Sequence, residues 1–257
     1  KPFWFQLYVM RDRGFAASLI DRAKAAKCSA LVLTLDLQIQ GQRHRDLKNG
    51  LVVPPRLTLG SFLDVLGKPS WALNVLRGRR KSFGNLEGQI KGADNLLTLS
   101  HWIAGQFDPT LSWNDVAWVK ERWGGKLILK GILDIEDAKI AAATGADAIV
   151  VSNHGGRQLD GTVSSIRALP EIVQAVGDRV EVHFDGGIQS GQDVLKALAL
   201  GARGTMIGKA FAWGLGAMGE AGVTRALEII QKELDVTMAL CGLKDVKQAS
   251  PAILRPA

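Results

Sequence analysis

Six short runs of β-branched and apolar residues punctuate this chain, and most are joined by stretches of helical periodicity. They are FWFQLYV at 3–9, ALVLTL at 30–35, LILK at 127–130, AIVV at 148–151, VEVHF at 180–184 and TMIG at 205–208. Apolar runs of this length, bounded by glycine and polar residues, read as strands. Between them lie FAASLIDRAKAAK at 15–27, DIEDAKIAAATGA at 134–146 and SGQDVLKALALGA at 190–202. Asp134 and Ser190 stand where a side chain caps the first turn of the last two. GADAIVVSN at 145–153 and GARGTMIGK at 201–209 repeat one design, a helix end turning through small residues into a strand. Such repetition implies stacked βα units with their strands parallel in one sheet.

A sheet of this kind is either open and doubly wound or closed into a (β/α)8 TIM barrel, and the placement of polar residues favours the barrel. Residues i and i+2 of a strand point the same way. Gln6 with Tyr8, Thr34 with Asp36, and Ser152 with His154 form such pairs at or just past the C-terminal ends of their strands, while Lys130 and Asp185 end two others. TIM-barrel sites draw on several strand ends at that face, whereas a doubly wound sheet binds at one switch point. Polar groups converging from five strands are costly to bury unless they bind something. Eight strands close such a barrel and six are visible, so the N-terminal segment and first two strands are expected to be missing from this sequence. The chain, 1–257, is expected to form a single domain. Residues 41–126 interrupt the regular strand spacing and read as a helical excursion inserted after the second visible strand, with SWNDVAWVKERW at 112–123 as one of its helices.

Composition narrows the function classes. With 257 residues, 47% of them hydrophobic and 22% charged, the chain can bury a large core. Cys28 and Cys241 are too few for a disulfide framework, which fits a cytoplasmic setting, and no metal is expected. No apolar run reaches the length of a membrane span and no signal peptide opens the chain, so any membrane contact is expected to be peripheral. The formal net charge of +7 suits anionic ligands or surfaces. The basic residues are dispersed and accompany no nucleic-acid-binding motif, so a nucleic-acid partner is not expected.

QLYV at 6–9, TLD at 34–36, LKGI at 129–132, SNHGGRQLD at 152–160 and DGG at 185–187 resemble, in order and spacing, the FMN-dependent L-2-hydroxy-acid dehydrogenases and oxidases. The resemblance spans essentially the whole chain; SNHGGRQLD is a highly specific signature, DGG alone a weak one. FDPTLSWNDVAWVKERW at 107–123 and GLGAMGEAGV at 214–223 are most similar to bacterial respiratory L-lactate dehydrogenases, with mandelate dehydrogenases next. The resemblance implies FMN as cofactor and oxidation of an L-2-hydroxy acid, foremost L-lactate to pyruvate, with electrons passed to a quinone or cytochrome. An oxidase that reduces oxygen to hydrogen peroxide, and an incomplete barrel without catalytic activity, are the alternatives.

That oxidation removes two electrons and two protons, so a base is required. The resemblance assigns it to His154, since an imidazole suits proton transfer near neutral pH, and assigns Asp36 to orient the ring and stabilise the imidazolium. Arg157 would grip the substrate carboxylate through paired hydrogen bonds, Arg43 would lie near it, and Tyr8, the only tyrosine, would offer its phenol. Lys130 resembles the cation that stabilises charge at the flavin N1 and C2 carbonyl edge. Gln6, Thr34 and Ser152 would bond the flavin edge and Asp185 the ribityl hydroxyls. DGGIQSG at 185–191 and IGKA at 207–210 would hold the phosphate with Gly186, Gly187 and Gly208, together with Gln189 and Lys209. The family usually carries arginine at the last two positions; Lys209 keeps a point charge and Gln189 none, which implies weaker phosphate binding.

The excursion holds five of the seven tryptophans, Trp71, Trp102, Trp113, Trp118 and Trp123, and a basic cluster of Arg77, Arg79, Arg80 and Lys81. Aromatics beside cations suit an anionic membrane surface, and packing of the tryptophans onto the barrel is the competing expectation. The resemblance implies attachment to the cytoplasmic face of the inner membrane and a homo-oligomer, a tetramer.

Overall fold

The computed structural model describes residues 1–39, 41–49, 58–78, 84–86, 102–103 and 105–254. The six expected strands are all present: β1 (Trp4–Tyr8), β2 (Ala30–Thr34), β3 (Leu127–Ile132), β4 (Ala148–Val151), β5 (Glu181–Asp185) and β6 (Gly204–Met206). They lie in chain order in one sheet and every neighbouring pair is parallel. Between them run α1 (Arg13–Ala25), α2 (His44–Lys48), α3 (Leu59–Leu66), α4 (Pro69–Arg77), α5 (Trp113–Trp123), α6 (Ile135–Ala143), α7 (Ser165–Val176) and α8 (Gly191–Ala199), with α9 (Lys209–Met218) and α10 (Glu220–Leu240) after β6.

An order that never reverses is that of a TIM barrel and lacks the switch point of a doubly wound sheet. The sheet is curled. Trp4 on β1 and His183 on β5 have ring centroids 6.0 Å apart in an edge-to-face contact, although three strands lie between them. In a flat sheet the same strands would stand about 19 Å apart.

Strand alternation produces two apolar layers. On the convex face Leu7, Leu31, Leu33, Leu127, Leu129, Ile149, Val182 and Phe184 pack beneath helices that contribute Leu19, Ile20, Leu169 and Ile172. Each fully buried side chain of that size contributes about 1.5–3 kcal/mol. On the concave face Ala30, Val32, Ile128, Ala148 and Val150 form a second cluster with Met206 packed against it. The same parity continues along the strands into Thr34, Lys130 and Ser152, so the residues that follow this second core towards the C-terminal ends are the polar ones.

The caps explain why the helices begin where they do. Asp12 accepts from Phe15 N at the start of α1, and Asp134 accepts from the N–H groups of Glu136 and Asp137 at the start of α6. Reciprocal capping boxes, Ser112 with Asp115 and Ser190 with Asp193, open α5 and α8.

Two strand ends differ from the sequence expectation by two residues, the others by one at most. β3 runs two residues beyond LILK through an irregularity between Lys130 and Ile132, with Gly131 at φ +102°. β6 stops at Met206, because Gly208 already serves as N-cap of α9. In the excursion, α5 buries Val116, Val119 and Trp123, and Trp102, Trp113 and Trp118 pack against the core. By contrast, α3 and α4 bury no residue, and Trp71 is exposed. Arg79, Arg80 and Lys81 lie outside the described residues. Among the described residues no helix is long and apolar enough to cross a membrane and no group of side chains could hold a metal ion.

Candidate active site

A cavity of about 520 Å³ opens at the C-terminal ends of the strands, within the range of ordinary small-molecule sites. Of the residues singled out in the sequence, Gln6, Tyr8, Lys130, His154, Arg157 and Asp185 line it. So do Gly186, Gly187, Gln189, Gly208 and Lys209 at its far end. Thr34, Ser152, Asp36 and Arg43 are absent from the lining and act on residues that form it.

Ser152 is the hub beneath the floor. Its hydroxyl donates to Asp185 Oδ2 at 2.6 Å and accepts from Lys130 Nζ and from the His154 backbone N–H, both at 3.1 Å. One donor and two lone pairs are thereby all used. Lys130 is buried, and its ammonium is balanced by Asp185 at 2.7 Å, as a buried charge requires. On β1, Gln6 Nε2 donates to Tyr8 Oη and to Thr34 Oγ1, each at 2.8 Å. Burial, and next the negative charge of Asp36, raise the Tyr8 phenol above its ordinary pKa of 10.0. The hydroxyl therefore remains a proton donor.

The signature segment leaves β4 through a single 3-10 turn, His154–Gly156. His154 has φ +56°, a conformation costing a non-glycine residue about 1–3 kcal/mol, and glycines at 155 and 156 absorb the positive φ that follows. This turn brings His154 Nδ1 to 3.1 Å from Asp36 Oδ1. Asp36 follows β2 and His154 follows β4, so the pair passes over the end of β3. Gly131 leaves the room: a Cβ there would lie 2.7 Å from Asp36 Cγ. Asp36 Oδ2 is buried and has no hydrogen-bond partner among the described residues.

The loops after β2 and β4 are also clasped together farther out. Gln158 Nε2 donates to the backbone carbonyls of Asp36 and Ile39, both at 3.0 Å, and its Oε1 accepts from Arg43 Nη2 at 3.3 Å. Arg43 Nε donates to Arg157 O at 3.4 Å. A Cβ on Gly41 would fall 2.4 Å from Gln158 O, so glycine there permits the two backbones to touch. Arg43 titrates below its ordinary value because of burial and then the neighbouring Arg157 charge. Arg157 itself is half-exposed and pairs with Asp46 at 3.1 Å. The guanidinium assigned to a substrate carboxylate thus already meets a carboxylate of the protein.

At the opposite end, the two candidate phosphate-binding helices are unlike. The donors at the start of α8 are spent: Gln189 N and Ser190 N go to Asp193 Oδ2 and Gly191 N to Glu233 Oε2. The first turn of α9, behind Gly208, has no side-chain cap, and Gly208, Lys209, Phe211 and Ala212 line the cavity at this end. An anion is favoured there by the unspent donors and the helix dipole. A buried ammonium, a carboxylate and hydroxyl beside it, and an uncapped helix start at the far end form a donor set that fits FMN.

Asp46, Gln158 and Gly41 had no role in the sequence reading, although Gln158 lies inside the signature. No local pattern marks them, because their contacts join segments more than a hundred residues apart.

The profile of the family described as FMN-dependent dehydrogenase matches residues 1–256. The chain belongs to that family. It is 50% identical over 254 residues to the L-lactate dehydrogenase of Caulobacter vibrioides, covering 98% of this chain and 66% of that protein. With the L-lactate dehydrogenase of Pseudomonas syringae pv. syringae the identity is 48%, over 99% of this chain and 67% of the relative. Among solved structures, (S)-mandelate dehydrogenase, described as a monotopic membrane protein, superposes with a TM-score of 0.91 at 35% identity, covering 99% of this chain and 67% of that one. A mandelate oxidase bound to (S)-4-hydroxymandelic acid gives 0.75 at 39% identity, over 96% and 63%. This member of the FMN-dependent dehydrogenase family thus spans about two thirds of the length of the curated relatives it matches.

Proposed function

We propose that this chain carries the site for FMN-dependent oxidation of an L-2-hydroxy acid, L-lactate to pyruvate before others, with His154 as the base. The observation that carries this reading is the His154–Asp36 pair at the wall of a cavity lined by Lys130 and Asp185, which Ser152 joins from behind. FMN, when bound, supplies the acceptor for the two electrons. Asp36 engages Nδ1, so Nε2 of His154 is the atom that takes the substrate proton, and the carboxylate stabilises the resulting imidazolium. Arg157 and Arg43 bind the substrate carboxylate, and Tyr8, held neutral by its surroundings, donates to it. Lys130 would stand at the flavin edge where negative charge gathers, with Gln6 along the rim and the buried Thr34 and Ser152 holding Gln6 and Lys130 from behind. Asp185 would bind the ribityl chain, and Lys209, Gln189, Gly186, Gly187 and Gly208 the phosphate.

The exposed apolar faces of α3 and α4 support peripheral attachment to a membrane, which would bring the site to a quinone or cytochrome acceptor on the cytoplasmic side. A tetramer is part of the same reading. The test is anaerobic reduction of the flavin-loaded protein by L-lactate, L-mandelate and glycolate in parallel. Fastest bleaching by L-lactate is expected; equal rates would remove the preference for lactate, and a flavin that no 2-hydroxy acid bleaches would end the reading. Little peroxide under air separates a dehydrogenase from an oxidase.

A further inference from the structure

We infer that Gln158 is a positioning residue for this site: its amide holds the Asp36 backbone under His154 and the Arg43 guanidinium beside Arg157. The inference rests on the reading of His154 and Asp36 as base and carboxylate. Both N–H groups of the amide are used, on Asp36 O and Ile39 O, and its oxygen takes Arg43 Nη2. The flipped amide would not satisfy these partners, because two are acceptors and one is a donor. Among the described residues the Asp36 carboxylate has one polar contact, Oδ1 to His154 Nδ1, and Oδ2 has none. Apart from His154 itself, no described polar group fixes the position of the side chain. That position comes from the backbone on which Asp36 sits, and Gln158 grips that backbone at the same residue. Since Gln158 follows His154 by four residues in one loop, the amide sets the distance between the base loop and the carboxylate loop across the end of β3. The tight approach of Gly41 to Gln158 O maintains the same register from the other side.

Two substitutions separate the two halves of this role. Gln158→Leu removes every polar contact. Gln158→Glu keeps an acceptor for Arg43 and turns the other oxygen against the carbonyls of Asp36 and Ile39. In the flavin-loaded full chain, the reduction rate at saturating L-lactate is expected to fall roughly ten- to hundredfold in both variants. Affinity for the unreactive product carboxylate, pyruvate, read from the flavin difference spectrum, should weaken in Gln158→Leu and stay near wild type in Gln158→Glu. Flavin retention and melting temperature should change little. Wild-type rates in both variants, or losses of rate that only track lost flavin and lost stability, would overturn the inference.

A second readout does not depend on the reaction. The chain has four histidines, and the one whose nitrogen-15 resonances vanish in His154→Ala should show a single Nδ1–H tautomer in the wild type and a mixture in both Gln158 variants. An unchanged tautomer in the variants overturns the positioning role even if lactate bleaches the flavin. A changed tautomer supports it even if no 2-hydroxy acid does.

Discussion

Two side chains of the site have environments that a single-residue experiment can read. Tyr8 is the only tyrosine, so the phenolate signal in the near ultraviolet belongs to it alone. Burial and the Asp36 carboxylate both favour the neutral phenol. The folded protein should therefore ionise Tyr8 above pH 10.0, and unfolding should return the midpoint to that value. The sign for stability follows: above pH 10.0 the folded state holds this proton more tightly than the unfolded state does, so Tyr8 makes the fold less stable as pH rises through that range. Asp36→Asn should lower the midpoint only in part, because burial remains. A folded-state midpoint at or below that of the unfolded chain would show the phenol to be solvated. Asp46 is the second case. Its pair with Arg157 is partly exposed, and such pairs contribute up to about 1 kcal/mol. Removing the competitor with Asp46→Asn should then tighten pyruvate binding by about two- to fivefold. Unchanged or weaker binding would mean that Asp46 orients Arg157 instead of competing for it.

At the scale of elements, the site depends on how β3 ends. Its irregularity between Lys130 and Ile132 lets Asp36 cross the strand end, and Gly131 provides both the positive φ and the space. Gly131→Ala adds a conformational penalty of about 1–2 kcal/mol before any displacement of Asp36, which for a domain of this size lowers the melting temperature by roughly 2–8 °C. Calorimetry should show that loss together with slower flavin reduction; an unchanged melting temperature would mean that β3 adapts without strain. The same region shows what the sequence conveys. Gln6, Tyr8, Thr34, Lys130, Ser152 and Asp185 were legible because strand parity is a local property, and two residues on one strand share a face whatever the rest of the chain does. The order of six parallel strands was legible for a related reason, since βα units repeat locally. The Asp46–Arg157 pair and the clasp through Gln158 were not, because they join loops that separate strands bring together, across 111 and 122 residues of sequence. The irregularity of β3 was hidden because LKGI reads equally well as a strand end or as a strand continuing through glycine.

For the molecule as a whole, net charge and exposed apolar surface both suit an anionic lipid surface. Phe62, Leu63 and Leu66 on α3 and Leu73, Val75 and Leu76 on α4 are all exposed, and neither helix buries a residue. In water this surface is unfavourable; transfer of each large apolar side chain out of water is worth about 1.5–3 kcal/mol. The net charge of +7 adds attraction to anionic lipid, on the order of 1 kcal/mol for each cation near the surface, which salt screens. The two contributions predict different responses. Flotation with vesicles containing anionic lipid should show binding that weakens as salt rises without vanishing, because the apolar part is unscreened. Phe62→Asp with Leu66→Asp should abolish what persists at high salt, while flavin reduction by L-lactate in the absence of vesicles stays at the wild-type rate, since neither residue lines the cavity. Binding lost entirely in moderate salt would assign attachment to charge alone, and binding retained by the double variant would move the contact away from α3.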